Sequence, residues 1–363
     1  ATRSEVLGCN GMVASSQPLA TQAGVEILKA GGSALDAAIA VNACLGLMEP
    51  TGCGIGGDLF ALVWDSRSGR LHGLNGSGRS ARSASRGDLM ERLLRDGKEA
   101  LPELGPLSVT VPGCVDAWFT LHERFGRLSM EQLLAPAIHY AEAGFPVSEL
   151  IAWYWQKSLK ERADFAGFRE TFTEDGTRTP AKGDLWRNPA LASTLRQLAR
   201  HGRAEFYEGD LAVCMGDFLE QQGSFLRFED FAAHTSAWVD PVSVTYRGFE
   251  VWELPPNGQG LAVLQMLNLL EGFPLAEYGF GSTEALHCAI ESKKLAFADR
   301  ARFYADPDFY DLPLARLVSK EYGDALRSRL DLEKAARQIL PDPENLRASD
   351  TVYLCTADGT GNM

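Results

Sequence analysis

Residues 350–362 constrain what this chain can fold into more than any other stretch. A polar segment with two prolines, residues 340–349, runs directly into Thr351. Residues 352–357 follow with the composition of a buried strand and end in a Gly-rich turn. A threonine between a solvated linker and a strand is where a self-cleaving precursor would expose an N-terminal nucleophile, whose hydroxyl attacks while the new α-amine acts as base. Any threonine can begin a strand, so the stretch alone leaves a structural role open.

Further motifs occur along the chain in a fixed order and spacing, and together they identify a family. They are GMVASSQPLA (11–20), AGGSALDAA (30–38), EPTGCGIGGD (49–58), VPG (111–113), LAPAI (134–138), PPNGQG (255–260) and ESKKLAFADR (291–300). Over nearly its whole length the chain resembles the gamma-glutamyltranspeptidase family of N-terminal-nucleophile hydrolases.

The resemblance implies that Thr351 is the catalytic nucleophile. The family motif is Thr, then Ser/Thr/Ala, His, any residue, Ser/Thr, a small apolar residue, four more residues, and Gly-Asn or Gly-Ser. Thr351, Gly361 and Asn362 fall in that register. A free α-amine has a pKa near 8, so the chemistry requires cleavage of the Asp350–Thr351 bond. Four residues between the matching positions depart from the motif: Val352, Tyr353, Cys355 and Thr356.

The expected processing site divides the chain. The resemblance implies that residues 1–350 are the large-subunit region, with 331–349 as an exposed linker, and that residues 351–363 begin the small subunit. It implies an α+β fold, the four-layer αββα sandwich, with the strand that begins at Thr351 among its central strands. This sandwich would be incomplete here, because most of the small subunit, with the family's oxyanion-hole residues, is absent from the sequence.

The loop at residues 75–79 is the candidate for substrate binding. The family's γ-glutamyl transferases place an arginine there, which grips the donor's α-carboxylate through bidentate bonds. In this chain Ser77 occupies that position, while Arg79 lies two residues further on and Arg82 five. Either arginine could reach the same pocket, both could be solvated surface groups, or the clamp could be missing. The departure favours the branch of the family that includes cephalosporin and glutaryl acylases.

Local patterns predict a mixture of helices and strands. Ser33 and Asp36 form a capping box for a helix to about residue 47, and its apolar and small residues predict burial on all sides. Other helices are predicted at residues 18–30, 115–125, 130–143, 148–162, 189–201, 210–222, 261–270, 283–304 and 314–330, and strands at 59–65, 70–74, 109–111, 242–247 and 250–254.

Charge and composition limit the classes of partner and cofactor that the chain can bind. A net charge of −13 argues against nucleic acid or anionic membranes, and no apolar run is long enough for a membrane span. The seven cysteines are scattered without a CxxC pair, and the six histidines lack an HExxH motif. We therefore expect free, buried thiols, no metal and no organic cofactor. The expected location is the cytoplasm, or the periplasm or exterior if a signal peptide has been removed.

These observations lead to one leading hypothesis and two alternatives. The first is a gamma-glutamyltranspeptidase-like amidohydrolase or acyltransferase that cleaves itself before Thr351. It would transfer a γ-glutamyl or similar acyl group from a donor such as glutathione to water or an amine, through an acyl-threonine intermediate. The second is a cephalosporin or glutaryl acylase with the same chemistry, and the third is a catalytically silent, uncleaved homologue. Expected partners are a small γ-glutamyl or acyl-amide substrate and the protein's own small subunit, in an assembly compatible with a homodimer of heterodimers.

Overall fold

The computed structural model describes residues 4–337 and 351–363, which fall into two compact units. The first unit holds residues 4–70, 75–237 and 351–363, and the second holds 71–74 and 238–337. The strands are β1 (Gly11–Ala14), β2 (Leu59–Asp65), β3 (Arg70–Gly76), β4 (Phe145–Pro146), β5 (Leu185–Trp186), β6 (Ala237–Val239), β7 (Val242–Tyr246), β8 (Phe249–Glu253) and β9 (Cys355–Asp358).

Helices make up most of the regular structure in both units. They are α1 (Pro18–Lys29), α2 (Ala34–Met48), α3 (Arg86–Arg95), α4 (Cys114–Phe125), α5 (Met130–Ala143), α6 (Glu149–Arg162), α7 (Phe168–Phe172), α8 (Pro189–His201), α9 (Arg203–Tyr207), α10 (Asp210–Gln221), α11 (Phe228–Ala232), α12 (Gly260–Leu270), α13 (Leu275–Tyr278), α14 (Thr283–Phe303), α15 (Leu314–Leu317) and α16 (Lys320–Arg327).

The helix α2 forms the core of the first unit. Its capping box is present as predicted: the Ser33 hydroxyl accepts the N–H of Asp36, and the Asp36 carboxylate accepts the N–H of Ser33. The helix is buried on nearly all sides and packs against α1, α4 and α5. Asp36 is fully buried and also accepts the N–H groups of Arg127 and Leu128. One carboxylate therefore satisfies the start of α2 and fixes the loop that precedes α5.

A hairpin and three helices form the core of the second unit. The helix α12 packs against α14, α16 and the β7–β8 hairpin. The two-residue turn of that hairpin is Arg247-Gly248, and both residues have positive φ, 51° and 87°. Two positive values are typical of the turn that matches the twist of paired strands. Arg247 is held in this unfavourable conformation because its N–H donates to Glu271 and its guanidinium to the carbonyl of Phe273.

Two of the predicted elements are wrong. Residues 109–111 form no strand, because the N–H of Val111 bonds to the carbonyl of Arg79 at 3.0 Å and Pro112 has no N–H to donate. The helix predicted over 314–330 is two helices, α15 and α16. Ser319 starts the second one, since its hydroxyl accepts the N–H of Tyr322.

The segment before the expected processing site is described only in its first part. Residues 331–337 contain no helix or strand and are exposed, apart from the partly buried Ala336. The predicted exposure of residues 338–349, like the environment of Asp350, lies outside the described residues. Within the described ranges, no helix combines the length and the apolar character that a membrane crossing needs.

Candidate active site

Thr351 lies exposed at the start of the segment that leads into β9. That strand begins at Cys355, three residues later than the predicted position 352. Thr351 and Val352 lie against Gly52 of the Gly-rich loop, residues 52–57. A Cβ atom on Gly52 would lie 3.3 Å from Cγ1 of Val352 and 3.8 Å from the carbonyl carbon of Thr351. The Gly-rich loop therefore lies directly beside Thr351, and position 52 has little room for a side chain.

Two side chains of β9 anchor this segment to the first turn of α2. β9 pairs antiparallel with β1, with Gly11 opposite Asp358. The Thr356 hydroxyl donates to the carbonyl of Ala34 at 2.7 Å, and the Asp358 carboxylate accepts the N–H of Ala34 at 3.2 Å. Both side chains are buried. Because α2 is the core helix, these bonds tie the strand behind Thr351 to the most rigid part of the unit.

The carboxylate of Asp358 also organises the turn after β9. It accepts bonds from the side chains of Asn362, at 2.9 Å, and Thr360, at 2.7 Å, and lies 3.6 Å from the Arg127 guanidinium. Burial alone would raise the pKa of Asp358, but the bonds from Asn362 and Thr360 outweigh it and lower the pKa to about 2. The carboxylate is therefore ionised throughout the physiological range.

The two motif residues at the end of the chain have structural roles in this turn. Gly361 adopts a φ of 86°, in the left-handed region that favours glycine. The side-chain oxygen of Asn362 accepts the N–H of Ser66 at 3.0 Å, and Met363 exchanges backbone bonds with Trp64 of β2 at 2.8 and 3.2 Å. The Gly-Asn pair of the motif thus joins the turn after β9 to β2.

The loop that carries Ser77 and Arg79 is bonded to the residue that follows the Gly-rich loop. The Asp58 carboxylate accepts the N–H of Gly78 at 2.9 Å, and the carbonyl of Arg79 accepts the N–H of Val111 at 3.0 Å. A Cβ atom on Gly78 would lie 1.6 Å from the Val111 carbonyl oxygen, so this position requires glycine. The backbone around Ser77 is therefore set by contacts on both sides.

The segment of the VPG motif joins the same cluster of loops. The carbonyl of Gly57 accepts the N–H groups of Gly113 and Cys114, at 3.0 and 2.9 Å. These bonds fix the last glycine of the Gly-rich loop to the start of α4. Residues 52–58, 75–79 and 111–113 consequently form one connected set of loops, and its first member contacts the Thr351 segment.

The predicted substrate-binding residues occupy different environments. Ser77 is half-buried, and its hydroxyl donates to the side-chain oxygen of Asn75 at 2.8 Å, in a turn that its N–H also joins at 3.0 Å. Arg79 and Arg82 are exposed. The N–H of Arg82 donates to the carboxylate of Asp230 at 2.9 Å, so this residue leads away towards α11. The roles of Thr351, Ser77 and Arg79 stay predictions.

Sequence reasoning missed a buried polar cluster beneath these loops. Asp116, in the first turn of α4, is 2% exposed; it forms an ion pair with Arg203 and accepts the N–H of Ser236 at 2.6 Å. Burial opposes ionisation of Asp116, but the bonds from Ser236 and Arg203 outweigh it and lower its pKa. The available signal was an acidic residue in an apolar helix three residues after the VPG motif. Its partners lie far away in the sequence, so the pattern could not identify them.

Cysteine and metal chemistry find little support in the site. All seven cysteines are free, but the expected burial is wrong for three of them, since Cys9, Cys214 and Cys355 are exposed. Burial, with a contribution from Glu49, raises the pKa of Cys53 to about 12, so the thiol in the Gly-rich loop is protonated and a poor nucleophile at neutral pH. Across residues 4–337 and 351–363, no group of His, Cys, Asp and Glu side chains is arranged to hold a metal ion.

The fold is that of an N-terminal-nucleophile hydrolase of mixed α+β structure, which confirms the predicted fold class. The family model for gamma-glutamyltranspeptidase matches residues 20–363, and the chain belongs to this family. The family predicted from the motifs is therefore confirmed.

Similar proteins include both γ-glutamyl and acylase members. The glutathione hydrolase-like YwrD proenzyme of Bacillus subtilis (strain 168) is 38% identical over 358 residues, which cover 98% of this chain and 66% of that protein. The structure of cephalosporin acylase from Bacillus halodurans is 41% identical, with a TM-score of 0.85, over 100% of this chain and 66% of that one. Gamma-glutamyltranspeptidase from Helicobacter pylori is 28% identical, with a TM-score of 0.84, over 96% of this chain and 99% of that one. The chain thus spans just under two thirds of the YwrD protein.

Proposed function

We propose that this protein is a gamma-glutamyltranspeptidase-like amidohydrolase or acyltransferase that cleaves itself before Thr351. The observation that carries the proposal is the placement of Thr351. It is exposed, it lies against Gly52, and it leads into a strand anchored on α2. The word proenzyme in the name of the YwrD relative supports processing in general, and the motif register gives the junction. After cleavage, residues 1–350 would remain with the protein's own small subunit.

The chemistry follows from an N-terminal threonine. The hydroxyl oxygen of Thr351 adds to the amide carbon of the donor, and the α-amine of the same residue takes the hydroxyl proton. The amide C–N bond then breaks, the proton passes to the leaving nitrogen, and the acyl group remains as an ester on Thr351. Water attacks this ester to release an acid, or an amine attacks it to release a new amide, and the hydroxyl is restored.

Anchoring of the Thr351 segment supports this mechanism because an attacking oxygen must be held in place. The bonds of Thr356 and Asp358 to Ala34 fix the strand, while Gly52 limits the space on the other side. Positioning of this kind supplies much of the rate enhancement when a nucleophile and a carbonyl react within one complex.

Ser77 favours a second candidate, a cephalosporin or glutaryl acylase. The hydroxyl proton of Ser77 is donated to Asn75, so its oxygen is left to act as an acceptor. An acceptor cannot bind the α-carboxylate of a γ-glutamyl donor, so the contact that the family's γ-glutamyl transferases make at this position is missing; a glutaryl donor has a carboxylate at the same place and lacks only the α-amine. Similarity to the Bacillus halodurans cephalosporin acylase points in the same direction. The γ-glutamyl enzyme and the acylase share the Thr351 chemistry and differ in the acyl donor.

Processing is the first test of the proposal. The purified protein should separate on denaturing gels into two fragments, and sequencing of the smaller one should begin at Thr351. Thr351→Ala should stay intact, while Thr351→Ser, which keeps a hydroxyl, should still be cleaved. A wild-type protein that remains one band after prolonged incubation at neutral pH would instead support the silent homologue.

The second test is substrate preference in the cleaved protein. We expect amide hydrolysis of γ-glutamyl and glutaryl anilides that disappears in Thr351→Ala. Comparison of kcat/KM for the two donors separates the γ-glutamyl and acylase alternatives. Acyl transfer by Thr351→Ala, which lacks the hydroxyl, would contradict the proposed nucleophile.

A further inference from the structure

A buried histidine without hydrogen-bond partners lies below the loops of the candidate active site. His234 is 3% exposed, and neither of its ring nitrogens has a partner among the described residues. A buried polar group without a bond costs free energy that an apolar ring of the same shape would not. A histidine at this position therefore needs an explanation other than packing.

The ring of His234 supports a residue that holds the VPG segment. It stacks on Tyr207, with the ring centroids 5.4 Å apart and the planes at 23°. The hydroxyl of Tyr207 donates to the carbonyl of Pro112 at 2.7 Å and accepts the N–H of Asp116 at 2.9 Å. Next to Pro112, the N–H of Val111 bonds to the loop of residues 75–79, as described above. The stacked rings of His234 and Tyr207 are thus connected to that loop through Pro112 and Val111.

The segment that carries His234, residues 234–236, also contacts the other end of this loop, next to Gly76. Residues 234–236 have no regular structure, and their burial alternates: Thr235 is exposed, His234 is buried and Ser236 is half-buried. His234 and Ser236 therefore face the same side. The hydroxyl oxygen of Ser236 lies 3.3 Å from where a Cβ atom on Gly76 would be. The segment is itself fixed, because the N–H of Ser236 donates to Asp116.

Four charged groups surround the ring, and they oppose one another. The carboxylates of Asp116 and Asp58 favour a charged imidazole, while the guanidinium groups of Arg203 and Arg79 disfavour it. Burial has the largest effect and lowers the pKa of His234 below its ordinary value. The ring is consequently neutral at neutral pH and takes up a proton only in acid.

We propose that His234 is a positioning residue: its neutral ring holds the loop of residues 75–79 in place, and its protonation loosens that loop. An imidazolium carries two N–H donors, and the carboxylates near it already accept other bonds. Asp58 accepts the N–H of Gly78, and Asp116 accepts the N–H of Ser236. A charged ring competes for both carboxylates and repels Arg79. The donor site is thereby coupled to pH, an inference that rests on the proposed function of this loop.

Hydrogen exchange tests the inference without relying on activity. In the wild type, amide protection of residues 75–82, corrected for intrinsic rates, should fall by about tenfold between pH 7 and pH 5, the loss expected for one hydrogen bond to a charged group. His234→Phe keeps the ring on Tyr207 and removes both nitrogens, so its protection should not change with pH. His201→Phe makes the same change at an exposed histidine and should behave like the wild type.

Kinetics and stability give two further readouts. KM for the acyl donor should rise in acid in the wild type and stay constant in His234→Phe, whereas the fall in kcat caused by protonation of the Thr351 α-amine should be the same in both. The wild type should also lose stability relative to His234→Phe as pH falls below about 6.5, because the unfolded chain binds a proton that the native ring resists. Should His234→Phe fold poorly, Tyr207→Phe keeps the stack but removes the bond to Pro112, and it should raise KM already at neutral pH.

Several results would overturn the inference. Equal acid-induced loss of protection in the wild type and His234→Phe would show that another group titrates. If His234→Phe is less stable at neutral pH but its KM depends on pH as in the wild type, the role of His234 is purely structural. An unchanged KM in Tyr207→Phe at neutral pH would lead to the same conclusion. Failure of the proposed function looks different: the exchange of the loop would respond to pH as expected, but no acyl transfer would occur.

Discussion

The carboxylate of Asp358 accepts the backbone N–H of Ala34 at 3.2 Å, which joins the strand behind Thr351 to the first residue of the core helix α2. This contact spans more than three hundred residues of sequence. It satisfies one of the N–H groups that a helix leaves unpaired at its start, and it places a negative charge at the positive end of the helix. A single side chain thus couples the candidate nucleophile segment to the stability of the whole unit.

Removal of the Asp358 charge should destabilise the protein. The pKa of Asp358 is lowered from 3.8 to about 2, and each pKa unit corresponds to about 1.4 kcal/mol, so Asp358→Asn should cost about 2 kcal/mol at neutral pH. The native state binds its proton later than the unfolded chain. The wild type should therefore keep this contribution above about pH 4 and lose it between about pH 4 and 2.

Urea unfolding at a series of pH values measures this effect. Asp358→Asn should show a flatter loss of stability in acid than the wild type. The matched control is Asp217→Asn, since Asp217 is exposed on α10. Equal stability of Asp358→Asn and the control at neutral pH would contradict the anchoring role.

Gly52 should be sensitive to the addition of a single methyl group. The Cβ atom of Gly52→Ala would lie 3.3 Å from Cγ1 of Val352, whereas at Gly54 nothing lies within 4 Å of such an atom. We expect Gly52→Ala to slow the appearance of the Thr351 fragment several-fold, because a small displacement of an attacking oxygen is costly. Gly54→Ala, in the same loop, should cleave at the wild-type rate.

A compensating change makes the Gly52 experiment decisive. Val352→Ala removes the methyl group that the new side chain would meet, so the double variant should recover most of the rate. Fragment formation is followed on denaturing gels or by intact mass. A double variant as slow as Gly52→Ala alone would mean that the defect has another origin.

Local sequence signals predicted those parts of the structure whose causes are local. The capping box of Ser33 and Asp36, together with the apolar residues that follow, was enough to predict α2 and its burial. The strand after Thr351 was also predicted, although β9 begins only at Cys355. Its first residue depends on where β1 pairs with it, a contact between opposite ends of the chain. The periodicity of apolar residues along the sequence does not show which strands pair with each other.

The misses share this long-range origin. Val111 is β-branched, as strand residues often are, but its N–H bonds to the carbonyl of Arg79 in a loop. Nothing in the residues around His234 indicates that Tyr207 lies beneath its ring or that Asp116 lies nearby. The motif register, by contrast, identified Thr351, Ser77 and Arg79 as candidates. It could not show that Ser77 donates its proton to Asn75.

A buried glutamate should control how firmly the segment before the processing site is held. Glu291 of α14 is 2% exposed; it accepts the N–H of Ala336 at 3.1 Å and pairs with Lys294 at 2.6 Å. Lys294 also donates to the carbonyl of Ala336 at 2.9 Å. Glu291→Gln removes the charge that holds this arrangement together and should release residues 331–337.

Limited trypsin digestion measures that release. Lys334 and Arg337 lie in the segment, and their cleavage should be about tenfold faster in Glu291→Gln, because a hydrogen bond to a charged group is worth about 1.5–3 kcal/mol against local opening. Glu284→Gln is the control, since Glu284 is exposed on the same helix. Unchanged digestion in Glu291→Gln would show that the segment is held by other contacts.

Replacement of Ser77 by arginine should move the donor preference towards acyl groups that carry a terminal carboxylate, such as γ-glutamyl. An arginine at the position where the family's transferases carry one would supply charge-assisted bonds to the α-carboxylate, in place of a hydroxyl that donates to Asn75. A hydrogen bond to a charged group is worth about 1.5–3 kcal/mol, so the ratio of kcat/KM for γ-glutamyl over 4-aminobutyryl anilide, which lacks only the carboxylate, should rise by about tenfold or more. Ser80→Arg adds the same charge at an exposed position three residues further on, and it should leave the ratio near the wild-type value.

If the wild type already prefers γ-glutamyl donors and Arg79→Ala removes that preference, Arg79 supplies the clamp. If Ser77→Arg and Ser80→Arg change the ratio equally, the effect is one of net charge, and the loop of residues 75–79 does not bind the carboxylate.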